Sequence, residues 1–126
     1  MTAEATVRTP WEAYSEGVPM HLTYPDCAMV DMIEQSARKT PDIAAYTFYT
    51  TKVTYKVFME QIQECAKALV AMGIRPGDKV TICMPNAPQA VIMFYAINYM
   101  GGIANMVHPM SAQEEIAFYL KESGSV

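Results

Sequence analysis

Gly73-Ile74-Arg75-Pro76-Gly77-Asp78-Lys79-Val80-Thr81-Ile82-Cys83-Met84-Pro85-Asn86-Ala87-Pro88 is the stretch that decides the fold. Gly73 to Asp78 is a run of turn formers, and Lys79 to Met84 is a short apolar strand. Pro85 to Pro88 is a second turn. The segment that follows, Gln89 to Met100, is almost wholly apolar and of helical length. Gly101-Gly102 stops it, Ile103 to Val107 reads as a second strand, and Pro109 ends the unit. Strand, helix and strand at this spacing form a parallel crossover. Val80, Ile82 and Met84 share one face of the first strand. Thr81 and Cys83 share the other and are small enough to lie under a helix, as in a parallel strand buried on both sides. Pro88 falls in the first helical turn, where a missing N–H costs nothing, and Asn86 is the expected cap. A helix apolar nearly all round is one buried between layers. A chain of 126 residues is too short to cover it well.

Outward from this unit the chain alternates helix and strand. Residues 1–10 are expected to be disordered. Trp11, Tyr14, Val18 and Pro19, with Gly17 among them, have no helical period. They are either an extended arm laid over the body or an irregular terminus held by one tryptophan. Asp26 stands before a helical pattern in which Met29, Val30, Ile33 and Ala37 share a face. Thr40-Pro41 ends that helix, because the residue before proline avoids helical geometry. Ala44 to Tyr49 is a strand by its β-branched and aromatic content. Thr50 to Lys52 turns it back onto Val53-Thr54, a short hairpin without an Asn-Gly signal. Thr54 caps the clearest amphipathic helix, whose core face is Tyr55, Phe58, Met59, Ile62, Cys65, Ala66, Leu69 and Val70. Gly73 fits the left-handed residue that closes it, and Ile74 the apolar contact beyond. Ser111 with Glu114 reads as a capping box before a last helix. Ser123-Gly124 ends that helix where the alternation calls for another parallel strand, at Ser125-Val126. The fold class is therefore α/β: an incomplete open parallel sheet with flanking helices, plus a short β-hairpin.

Composition excludes several functions. The chain is 52% hydrophobic and 17% charged, which describes a globular core. Its net charge is −4, from 13 acids and 9 bases, and without a Lys/Arg cluster it has no nucleic-acid footprint. Cys27, Cys65 and Cys83 are too widely spaced for a zinc site and read as buried free thiols of a reducing cytoplasm. The N-terminal residues do not form a signal peptide. The run Ala90 to Ile97 is far short of the roughly 20 residues that span a bilayer. The expected location is cytoplasmic, with a peripheral membrane position left open. The 11 methionines serve as adaptable core filler or as an acyl-facing surface.

No constellation of catalytic residues stands out. Gly101-Gly102 follows a helix and precedes a strand, the reverse of a phosphate-binding fingerprint, so it reads as a helix stop. His108 lies just past a parallel strand's carboxyl end, where ligands collect in open α/β sheets. With no carboxylate or serine beside it in sequence, loop polarity is its default explanation. His21 stands in the irregular N-terminal stretch. Asn105, in a buried strand, calls for a structural hydrogen bond, and Asp78 is turn chemistry. No catalytic, cofactor-binding or metal-ligating residue is assigned.

Taken together, the stretches resemble the start of an adenylate-forming acyl-CoA synthetase. Val53-Thr54-Tyr55 resembles the family's "TY..L" element, with Phe58 in place of its leucine. Met72 to Val80 matches "lGv.pGD.V". Met84-Pro85-Asn86, Ala96 and Gly101-Gly102 fit "l.pN......A....G". Asn105 to Pro109 resembles "vn.nP", and Glu114-Glu115 with Leu120 to Gly124 resembles "EL...l.dsg". Trp11, Tyr14, Gly17-Val18-Pro19 and Asp31 to Ser36 look like the leader of medium- to long-chain fatty-acid–CoA ligases, and Pro41-Asp42 and Ala45 continue the likeness. The likeness runs from Trp11 to Val126, the expected extent of a truncated N-terminal piece of the AMP-binding domain. It implies a complete enzyme that uses ATP, magnesium and coenzyme A, joining carboxylate to ATP and then acyl to thiol. Its Ser/Thr/Gly-rich ATP loop, its aromatic-Gly-x-Thr-Glu segment, its hinge aspartate and its catalytic lysine are absent here. The resemblance thus transfers no catalytic residue, implies an inactive piece, and makes the remainder of the ligase its partner. Exposed apolar surface and sheet edges would then favour self-association. Two other readings stay open: a piece of an aryl- or amino-acid-adenylating ligase, and a stand-alone, non-catalytic α/β interaction module with a covered core.

Overall fold

The computed structural model describes residues 10–13 and 16–126. The disorder expected over residues 1–10 therefore lies outside the described residues except for Pro10, and so does the reading of Tyr14. Trp11 sits in a one-turn 3-10 helix, Pro10–Ala13, with its ring 6.4 Å from that of His21. Residues 16–27 are exposed and carry neither helix nor strand.

Eight elements follow: α1 (Met29–Lys39), β1 (Ala44–Phe48), β2 (Thr51–Thr54), α2 (Tyr55–Ala71), β3 (Lys79–Ile82), α3 (Pro88–Tyr99), β4 (Ile103–Met106) and α4 (Gln113–Ser123). β1 and β2 form an antiparallel hairpin, and β3 and β4 form a parallel pair. The register Lys79↔Ile103, Val80↔Ala104, Thr81↔Asn105 and Ile82↔Met106 is the expected crossover through α3. The hairpin connection is tighter than expected. Phe48 pairs with Thr51, leaving only Tyr49-Thr50 as the turn, and Tyr49 adopts a φ of 51°. That is the left-handed region, which a bulky residue rarely occupies.

α1, α2 and α3 pack on one another, the hairpin rests on α2, and the parallel pair rests on α3. Ile62, Ile82 and Ile97 are the largest fully buried side chains, and they join α2, β3 and α3 in one core. Burying each such side chain is worth roughly 1.5–3 kcal/mol.

The helix ends follow the sequence at their C-termini. Gly73 has a φ of 99°. Its N–H donates to the Val70 carbonyl at 3.0 Å, and Ile74 N–H donates to the Leu69 carbonyl at 3.1 Å. That is the Schellman arrangement, and Ile74 packs against the core as expected. α3 ends the same way: Gly101 N–H donates to Asn98 and Gly102 N–H to Ile97. Gly102 also needs its bareness, because a Cβ there would meet Ile97 Cγ2 at 3.0 Å and the Asp78 carbonyl oxygen at 3.3 Å.

The N-termini bring corrections. Thr54 caps α2, accepting from Val57 N–H at 3.4 Å. Asn86, however, does not cap α3: Ala87 occupies that position without a side-chain bond. Ser111 and Glu114 do not form the capping box of α4. The cap residue is Ala112, whose N–H donates to Glu115 Oε2 at 3.2 Å. At α1 Asp31 acts likewise, accepting from Ala28 N–H at 2.8 Å. An acid in the first turn reaches back to a backbone donor whatever side chain stands at the cap.

Other corrections concern burial. Cys27 and Cys83 are exposed and Cys65 is half-buried, so the thiols are not a buried set. Cys83 lies beyond the last paired residue of β3, where no strand or helix shelters it. α3 is only partly covered: Ala90, Ala96 and Ile97 are buried, while Val91 and Tyr99 are 44% and 43% exposed.

One link between distant segments is invisible to periodicity. Asn98, in the last turn of apolar α3, accepts a hydrogen bond from Val30 N–H at 2.9 Å through Oδ1. It satisfies an amide that the first turn of α1 leaves without a partner. Replacing Asn98 by Ala is expected to destabilise the chain by about 1 kcal/mol, the usual cost of a lost cap. Urea unfolding with an unchanged denaturant slope checks it.

Candidate functional site

The residues singled out from sequence do not converge. His108 is exposed, and its Nδ1 accepts the Met110 N–H at 3.1 Å. It shapes its own loop. His21 stands beside Trp11 in the N-terminal stretch. Asp78 accepts the Arg75 N–H at 2.7 Å and closes the turn into β3. Asn105 Nδ2 donates to Thr81 Oγ1 at 2.9 Å. Thr81 Oγ1 lies 2.6 Å from Ser125 Oγ, which in turn lies 2.8 Å from Ser123 Oγ. This half-buried polar row ties β4, β3 and the last residues together, and Val126 N–H donates to the Lys79 carbonyl at 2.9 Å. Val126 therefore lies beside the start of β3.

One cavity lies where the β3–α3 connection, the carboxyl end of β4 and the hairpin meet. It is a groove of about 620 Å³ whose lining includes Thr47, Phe48, Asn86 and Met106. Its wall is an aromatic row in which each ring meets the next edge to face. Tyr46 and Phe58 are 5.3 Å apart at 86°, Phe58 and Tyr95 5.9 Å at 88°, and Tyr95 and Phe94 5.3 Å at 85°. Such pairs add roughly 0.5–1.5 kcal/mol each beyond the area they bury. Burial also raises the Tyr46 phenol above its ordinary pKa, and its hydroxyl sits 3.4 Å from Gln61 Oε1.

The groove lies at the carboxyl end of a parallel pair, the usual place for ligands in α/β sheets. Its volume falls in the range of roughly 300–1,000 Å³ typical of ligand sites. Its lining contains no Lys, Arg, His, Asp or Glu. A triphosphate needs cations or clustered amides, so it does not fit here, whereas an apolar group does. Among the described residues no three His, Cys, Asp or Glu side chains come together as metal ligands. The groove escaped the sequence because five elements far apart in the chain, α1, β1, α2, α3 and β4, contribute to it together with the loop before α3. Its one sequence signal is the aromatic density of Tyr46, Phe48, Tyr55, Phe58, Phe94 and Tyr95.

Comparison with known proteins defines the class. Residues 33–126 match the model of the family described as AMP-binding enzyme. The chain belongs to that family. The long-chain-fatty-acid–CoA ligase of Bacillus subtilis (strain 168) is 30% identical over 115 residues, which are 90% of this chain and 20% of that protein. A plipastatin synthase of the same organism is 36% identical over 93 residues, 74% of this chain and 3% of that protein. Among solved structures, the inhibitor-bound N-terminal domain of FACL13 from Mycobacterium tuberculosis superposes with a TM-score of 0.74 at 31% identity. It covers 78% of this chain and 25% of that one. The chain thus spans about a fifth of the length of the fatty-acid ligase it matches. Among the described residues no helix is long and apolar enough to cross a membrane.

The thiols offer a direct check on the packing. Cys65 Sγ lies 3.8 Å from Met93 Sδ between α2 and α3, and burial raises its pKa. Less thiolate at a given pH means slower alkylation. With iodoacetamide near pH 8, Cys27 and Cys83 are expected to react first and Cys65 last, as read by peptide mass spectrometry. Cys65 reacting as fast as the others would contradict the α2–α3 packing.

Proposed function

We propose that this chain is the N-terminal part of the AMP-binding domain of an ATP-dependent fatty-acid–CoA ligase, and that it supplies framework rather than catalytic groups. One observation carries the reading: the match to a fatty-acid–CoA ligase combines 30% identity with 90% of the chain, whereas a linear gramicidin synthase of Brevibacillus parabrevis covers 93% at 27% identity. The plipastatin synthase match, although higher in identity, covers 74%.

The reaction of the complete enzyme would run in two steps. A fatty carboxylate oxygen attacks the α-phosphorus of ATP and expels pyrophosphate, and the thiol of coenzyme A then attacks the acyl carbonyl and expels AMP. Magnesium would offset phosphate charge during the first step. The residues described here bind none of these groups in the proposal. Their part is mechanical: the α2–α3 core and the β3–β4 pair hold the apolar groove in place. The enzyme would work in the cytoplasm or at a membrane surface.

A second reading is a ligase for aryl or amino acids. The N-terminal subdomain of Klebsiella oxytoca NpsA, in a structure with 3-hydroxyanthranilyl-AMSN, superposes with a TM-score of 0.75 at 26% identity, over 78% of this chain and 25% of that one. It favours this reading by fold.

ATP–pyrophosphate exchange separates them. The chain of residues 1–126 alone is expected to show no exchange above blank. The product of the complete reading frame is expected to show exchange dependent on a fatty acid. Exchange driven only by aryl or amino acids would establish the second reading, and turnover by residues 1–126 alone would refute the framework role.

A further inference from the structure

A second groove, of about 900 Å³, lies where the C-terminal half of α2, the turn after it and the end of α3 meet. Its apolar lining includes Val70, Ile74, Tyr99 and Met100. Its charged lining is Lys67 and Arg75, and no Asp or Glu accompanies them. The aromatic groove, by contrast, carries no charge at all. The difference separates the two faces. Burying an unpaired ammonium or guanidinium under protein carries a heavy desolvation penalty, so the second groove is built to stay open to solvent.

Neither cation has a structural task in the fold. A helix dipole favours bases in the last turn, and α2 has none there. Lys67 stands just before that turn. The last carbonyls of α2 are already taken by backbone donors: Met72 N–H donates to Ala68, Gly73 N–H to Val70 and Ile74 N–H to Leu69. Asp78, the acid nearest Arg75 in sequence, accepts the Arg75 main-chain N–H at 2.7 Å and not its guanidinium. Among the described residues the Lys67 and Arg75 side chains make no hydrogen bond or ion pair, and the one ion pair joins Arg38 to Glu34. The chain as a whole has a net charge of −4 and repels anions. An anion is held here only where these two cations and the apolar lining act together.

We propose that this second groove binds an anionic amphiphile, an alkyl chain ending in a carboxylate, as a ligand apart from any reaction. The guanidinium of Arg75 offers the planar fork that matches a carboxylate, and the ammonium of Lys67 adds a point charge. The alkyl chain lies against Val70, Ile74 and Met100, and a methionine wall adapts to chains of different length. The volume falls in the range of roughly 300–1,000 Å³ typical of sites that hold one small ligand, so the groove takes a single chain and not a bilayer surface. The site needs nothing from the ligase chemistry and stands independently of the function proposed above.

Decanoate, kept below its micelle concentration, is the probe. Isotope-labelled residues 1–126 are titrated with it and read by amide NMR. The amides of Gly73, Arg75 and Met100 are expected to move most and to saturate with one ligand per chain. Decanol, with a similar chain and no charge, is expected to bind at least about tenfold more weakly, the equivalent of one charge-assisted hydrogen bond. Lys67→Glu and Arg75→Glu are each expected to weaken decanoate binding by at least about tenfold. Lys39→Glu, which reverses a cation on α1, is expected to leave it unchanged. Circular dichroism checks the fold of each variant. Lys67→Gln and Arg75→Gln replace one that fails to fold, and are expected to weaken binding severalfold. In the product of the complete reading frame, decanoate but not decanol is expected to slow the acetylation of Lys67 by acetic anhydride severalfold. Four results would each overturn the proposal: decanol binding as tightly as decanoate, shifts centred on Tyr46, Phe94 and Tyr95, unchanged binding in both charge-reversed variants, or a Lys67 that acetylation does not reach in the longer product. None of them bears on fatty-acid-dependent exchange by the complete enzyme, so the two proposals fail separately.

Discussion

Everything in this chain depends on the contact between α2 and α3. α2 is amphipathic and sealed at its end by Gly73. α3 is apolar nearly all round and sealed by Gly101. Where they meet, Ile62 and Ile97 are completely buried, and Cys65 lies against Met93. α3 then carries the parallel pair on another side, and α2 carries the hairpin. Loss of this contact would leave two two-stranded sheets without a common core, and such sheets are marginal alone.

The same contact explains why the molecule is apolar outside. A helix hydrophobic around its whole circumference needs neighbours on every side. Here α1, α2, β3 and β4 supply some of them, and Val91 and Tyr99 remain open. α4 has no buried residue at all, and Phe118, Tyr119 and Leu120 are exposed along it. Faces of this kind mark surfaces that meet other protein. They fit a framework completed by more of its own domain better than a self-contained interaction module with a covered core.

The framework was legible in the sequence because its signals are local. Turn residues bracket β3 and β4, the period of α2 is regular, and glycines mark the helix ends through a backbone angle that other residues avoid. What failed was decided by geometry beyond that range. Asn86 and Ser111 have the chemistry of caps, but the residues in extended conformation at those helix starts are Ala87 and Ala112. The role of Asn98 depends on α1 lying beside α3, which no local pattern shows. Cys83 alternates correctly for a covered face, and no helix arrives to cover it. The groove is assembled from α1, β1, α2, α3, β4 and the loop before α3, and no spacing rule links those positions. The family was legible for a different reason: weak motifs in a fixed order are jointly specific even when none carries chemistry.

The central claim is that the apolar surface of this chain is an interior face of a larger ligase domain. Binding of an apolar-surface dye tests it most directly, comparing residues 1–126 with the product of the complete reading frame at equal molar concentration. Strong dye fluorescence from residues 1–126 that falls severalfold in the longer product is the result expected. A reading frame that stops at Val126, together with a monomer that binds no dye, would contradict it.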